Sequence, residues 1–92
     1  MIVAVKLFGS LEKLAERKII EINIEENNNI EVKTVLKKLI EIINKEEFKN
    51  ILESPGNYVI FVDGVEISAL NGLNSLIKNG SEIVIVPVVH GG

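Results

Sequence analysis

The sequence predicts an α+β fold, a mixed sheet with one main helix packed across it. Two patterns predict it. Short β-branched runs that alternate inward and outward positions occur near both ends and in the middle of the chain, and one longer stretch, Val32 to Ile43, repeats apolar residues at helical spacing.

The first run, Ile2 to Phe8, sets Val3, Val5 and Leu7 on the face opposite Lys6, as a half-buried strand requires. Leu11, Leu14 and Ala15 suit a short helical turn. From Lys18 to Glu25, Ile20, Ile22 and Ile24 alternate with Glu21 and Asn23, which predicts a second strand forming a hairpin with the first through a long connection. After Glu25-Glu26-Asn27-Asn28-Asn29, the residues Val32, Val35, Leu36, Leu39, Ile40 and Ile43 form one apolar stripe of the main helix, with Asn29 or Thr34 as its cap. Phe48, Ile51 and Leu52 suit a second short helix, ended by Ser54-Pro55-Gly56-Asn57. Tyr58 to Val62 and Val65 to Ile67 predict a hairpin closed by Asp63-Gly64. A helical turn over Leu73 to Ile77, a turn at Asn79-Gly80 and a final strand from Glu82 to Val89 complete the order, and His90-Gly91-Gly92 follow. The segment between strands two and three is long enough for a parallel crossover. The order fits a ubiquitin-like β-grasp, expected as a single domain over residues 1–92 with a flexible tail at 90–92.

Composition removes several function classes. The chain has 92 residues, 47% of them hydrophobic and 25% charged, which is the balance of one globular domain. With no Cys and one His it offers no disulfide, no thiol nucleophile and no Cys- or His-based metal site. A net charge of -3 without a basic stripe argues against direct nucleic-acid binding. No apolar run approaches the roughly 20 residues of a membrane span, and Met1 leads straight into the first strand without a targeting segment, so a cytoplasmic location is expected. The carboxylates are mostly Glu scattered among Lys, and no acid/base pair stands out.

Three segments carry a family resemblance: Leu7-Phe8-Gly9-Ser10-Leu11-Glu12-Lys13-Leu14-Ala15, Ile60-Phe61-Val62-Asp63-Gly64-Val65-Glu66-Ile67, and the end of the chain from Leu76 through Gly80-Ser81-Glu82 and Pro87 to Gly91-Gly92. Together they resemble the MoaD family, the small subunit of molybdopterin synthase, and its archaeal small-modifier relatives. Two departures stand out. Glu16-Arg17 occupy a turn where the family often has Gly, and His90 replaces the usual small residue before the glycines.

The resemblance implies a sulfur carrier whose working group is the carboxylate of Gly92, preceded by Gly91. An E1-like activating enzyme would adenylate it with ATP and Mg, the carrier itself holding no cofactor, and a sulfur donor would convert it to a thiocarboxylate. The molybdopterin synthase large subunit is the implied recipient. Alternatives are a ubiquitin-like modifier joined to target-protein lysines, a carrier for tRNA thiolation, and a plain β-grasp binding module. Glycines without Cβ leave the approach to the carbonyl open, and Val88 to Gly92, fully extended, reach on the order of 15 Å.

Parity in the last strand predicts the partner surface. Glu82 is its only charged residue and shares a face with Val84, Val86 and Val88, so Ile83 and Ile85 belong to the core. By similarity to the ubiquitin fold, Phe61 of strand three lies on the same outer face. The expected partner-binding residues are therefore Phe61, Val84, Val86 and Val88, with His90 a residue that contacts the partner's channel or stays solvated.

Overall fold

The computed structural model describes residues 1–26 and 29–88. β1 (Ile2–Leu7) leads into α1 (Gly9–Ala15), and β2 (Ile19–Asn23) returns antiparallel to β1. A two-residue strand, β3 (Ile30–Glu31), precedes the main helix α2 (Val32–Ile43) and the short α3 (Glu46–Leu52). β4 (Tyr58–Val62) and β5 (Val65–Glu66) follow, then β6 (Leu76–Ile77) and β7 (Glu82–Pro87). Five strands form one sheet in the order β2-β1-β7-β4-β5, in which β1 and β7 are parallel and every other pair is antiparallel.

The core lies between this sheet and the helices. β1 turns Val3, Val5 and Leu7 inward, β4 turns in Ile60 and Val62, and β7 turns in Ile83 and Ile85. They meet Val32, Val35, Leu36 and Leu39 of α2 and Phe48 and Leu52 of α3. Removing each such side chain from water contributes roughly 1.5–3 kcal/mol, and that term decides the sheet's parity because a one-residue slip would expose every one of them. The mixed sheet with the main helix across one face is the expected fold.

Local details differ from the sequence reading where long-range contacts decide. The main helix begins at Val32 with Glu31 as its cap, and neither Asn29 nor Thr34 serves. The Val32 N–H finds its acceptor in the Ser75 carbonyl at 2.9 Å, so a distant backbone group does the work expected of a side chain. The expected helical turn over Leu73 to Ile77 is shorter. A 3-10 turn covers Gly72–Asn74, and Leu76–Ile77 are β6, paired antiparallel with β3. Burial of Ile77 in the core draws this segment into extended pairing with Ile30. The crossover from β2 to β4 is parallel, as expected; it passes over two intervening strands, β1 and β7, and the parallel contact in the sheet is between those two. At Asp63-Gly64 both residues have positive φ, 49° and 84°, the geometry of a tight primed turn.

Candidate functional site: the outer sheet face and the root of the tail

β7 lies between β1 and β4, so its two faces are fixed from both sides. Ile83 and Ile85 are completely buried, whereas Val84 and Val86 are half-buried on the opposite face and Glu82 is exposed. Phe61 pairs directly with Val84, and Val59 with Val86, placing four apolar side chains together on the outer face of β4 and β7. Lys6 of β1 pairs with Val84 from the other side. Val88 is 39% exposed just past β7, and its N–H donates to the Asn57 carbonyl at 2.9 Å, which carries the β4 pairing one residue further. His90, Gly91 and Gly92 lie outside the described residues.

Three members of this surface were not among the expected partner-binding residues. Val59 shares the parity of Phe61, and Lys6 and Phe8 share the outward parity of β1, so alternation alone could have placed them. Phe8 is half-buried, and the Lys18 Nζ stands 4.4 Å from its ring centroid, a cation-π contact. The carboxylate of Glu66, paired across the ladder with Phe61, accepts hydrogen bonds from the Ser68 N–H and, at 2.9 Å, from its hydroxyl. That carboxylate is turned to its own 3-10 turn over Ile67–Ala69.

Nothing in this arrangement resembles a catalytic cluster. Among the described residues no three His, Cys, Asp or Glu side chains converge to hold a metal ion. A groove of about 330 Å³ lies on the helix side, lined by Leu36, Ile40, Leu52, Tyr58 and Leu73 with Lys33 and Lys37 at its rim. It involves neither Val84 nor Val86. Burial of the phenol at its floor raises the Tyr58 pKa above 10.0. The chemical possibilities of the outer face are those of a docking surface: contiguous half-buried apolar groups with a lysine among them, on the strand that leads to the last residues of the chain.

This sheet order, with parallel central strands and the helix across one face, defines a ubiquitin-like β-grasp protein. The chain belongs to the ThiS family, whose model matches residues 5–92. No curated protein matches its sequence. Among solved structures it is similar to the small archaeal modifier protein 1 of Methanosarcina acetivorans, with 28% identity and a TM-score of 0.78 over 99% of this chain and 96% of that one. It is also similar to the complex of subunits 1 and 2 of the molybdopterin-converting factor from Helicobacter pylori, with 25% identity and a TM-score of 0.60 over the full length of both chains. A putative molybdopterin converting factor subunit 1 from Pyrococcus furiosus shares the fold, with 22% identity and a TM-score of 0.75 over 97% and 99%. The resemblance to MoaD-type carriers and their archaeal small-modifier relatives therefore stands.

Proposed function

We propose that this chain is a sulfur carrier whose reactive group is the Gly92 carboxylate. The observation that carries the reading is the apolar outer face, Phe61 with Val84 and Val86, on the strand that runs at Val88 into the Val89-His90-Gly91-Gly92 sequence. A partner that grips this face also reaches Val88, from which the chain continues to Gly92. An E1-like enzyme, with ATP and Mg, would join the Gly92 carboxylate to the adenylyl group and release pyrophosphate. A hydrosulfide-equivalent donor then attacks the acyl carbon, AMP leaves with the oxygen, and the C–S bond left behind is a thiocarboxylate. Gly91 and Gly92 leave the acyl carbon unshielded. No side chain of the carrier takes part in these steps.

The recipient we favour is a molybdopterin synthase large subunit, which would use the sulfur in cytoplasmic molybdopterin synthesis. The Helicobacter pylori relative, solved as a complex of converting-factor subunits 1 and 2, supports that destination. Similarity to a small archaeal modifier protein supports a second destination, an isopeptide bond between Gly92 and a target-protein lysine. One experiment tests the common step and then separates the two. Intact-protein mass spectrometry after incubation with a cognate activating enzyme, ATP, Mg and a sulfur source should show oxygen replaced by sulfur at Gly92. No exchange, under conditions that convert a control carrier, refutes the reading. Co-purification with a large synthase subunit marks the first destination, and lysine conjugates mark the second.

A further inference from the structure

At the end of β7 the chain is held from two sides. On the β4 side, the Val88 N–H is bonded to the Asn57 carbonyl at 2.9 Å. On the β1 side the ladder stops at Leu7 and Ile85, Phe8 stays extended, and Gly9 opens α1 with φ +55. A Cβ built on Gly9 would stand 3.0 Å from Pro87 Cγ and 3.7 Å from Pro87 Cδ. Of the five glycines among the described residues, Gly9 alone combines this conformation with such a neighbour; Gly72 has φ +56 and open space around it. Pro87 contributes a rigid ring and a fixed φ in place of an N–H. A residue with no side chain therefore meets the stiffest residue available at the point where β7 ends.

We infer that the Gly9–Pro87 contact is a positioning device that sets where, relative to the outer sheet face, the tail leaves the body. The inference rests on the carrier reading above. A partner docked on Phe61, Val84 and Val86 must find the tail root at a set offset, because the four residues from 89 to 92 span only about 13 Å at full extension. There is little slack to absorb a displaced root. An added Cβ at residue 9 forces Pro87 or α1 to move by a few tenths of an ångström, and small misplacements of a reacting group cost rate steeply. The docking face itself stays intact, so the effect falls on turnover and not on recognition. Gly9 is a positioning residue in this scheme and touches no reacting atom.

The test compares Gly9→Ala, Pro87→Ala, their double variant and Gly72→Ala. The last carries the same backbone strain without the collision. For each, thiocarboxylate formation by the activating enzyme is measured as kcat and KM, and hydrogen exchange is followed at the Val88 amide. Gly9→Ala should lower kcat about tenfold, leave KM for the carrier near that of the wild type and lower Val88 protection, while Gly72→Ala does neither. The double variant should recover much of the loss, since the new methyl occupies space the ring has vacated. Equal kcat in Gly9→Ala and Gly72→Ala, or a loss confined to KM, overturns the inference and leaves the carrier reading standing. A wild-type chain that is never converted overturns the carrier reading and the inference with it. Should Gly9→Ala fail to fold, Pro87→Ala and the double variant decide: a double variant no more active than Pro87→Ala overturns the inference.

Discussion

Glu16 sits where its family resemblance leads one to expect glycine, and its backbone shows why. It caps α1 at φ 58°, ψ 28°, a left-handed conformation that costs an ordinary L-residue roughly 1–2 kcal/mol. Its carboxylate lies 3.2 Å from Lys45 Nζ, but the Glu16 side chain is 80% exposed and such a pair contributes little. Part of the backbone gain from glycine is offset by the extra freedom of the unfolded chain. Glu16→Gly should therefore raise stability by about 0.5–1 kcal/mol in urea denaturation; an unchanged or lower midpoint would mean that the Lys45 pair outweighs the strain. Tyr58 offers a second residue-scale check, because it is the only tyrosine in the chain. Burial raises its pKa, so the neutral phenol is the form the folded state favours. Its contribution to stability is intact below about pH 10 and is lost as pH rises beyond that through the folded pKa. Absorbance titration of the folded protein should give a midpoint above that of the unfolded chain, and coincident midpoints would contradict the burial.

Elements differ in how plainly the sequence marks them. β7 was legible because six residues of alternation must bury one face, and the result, Ile83 and Ile85 inside with Val84 and Val86 outside, follows from parity alone. The β4–β5 turn was legible because Asp63-Gly64 suits two positive φ angles. β3 and β6 were not. Two residues are too few to show a period, and each strand exists only because its partner, far off in sequence, supplies the other half of the ladder. The start of α2 was hidden for the same reason, since the acceptor for the Val32 N–H is the Ser75 carbonyl, outside the local pattern. One unforeseen element contact has a measurable cost. Ser81, almost completely buried, donates its hydroxyl to Asp63 Oδ2 at 3.2 Å and accepts from the Lys78 N–H at 3.0 Å, while Asp63 Oδ1 accepts from the Glu82 N–H at 2.9 Å. These bonds tie the β4–β5 turn to the start of β7. Ser81→Ala should cost about 1–3 kcal/mol, because it leaves the Lys78 N–H without its acceptor; a change within error in chemical denaturation would show that water replaces the hydroxyl freely.

For the whole molecule, the two faces of the sheet have opposite duties, and a charge placed on each one tells them apart. The inner face packs under α2 and α3 and holds the fold together; the outer face presents the half-buried Val59, Phe61, Val84 and Val86 around Lys6. An aspartate at Ile85 would bury an unpaired charge in the core, and the domain should lose most of its stability. Phe61→Asp and Val86→Arg, on the half-buried outer face, leave the new charge in reach of water and should cost little in melting temperature. Their effect belongs to the interface. If the partner closes over this face, each should weaken binding to the activating enzyme or the large subunit by roughly 2 kcal/mol or more, about thirtyfold, as expected for a desolvated apolar anchor. Deleting Gly92 gives the complementary phenotype. It should leave both stability and docking near wild type, since terminal residues contribute little to folding, yet abolish sulfur transfer because the terminal carboxylate, now on Gly91, stops one residue short of the adenylation site. Calorimetric binding and thermal melts on the four variants settle the division of labour. Unfolding of Phe61→Asp and Val86→Arg would make the outer face structural, and folded variants that bind as tightly as the wild type would move the docking surface elsewhere.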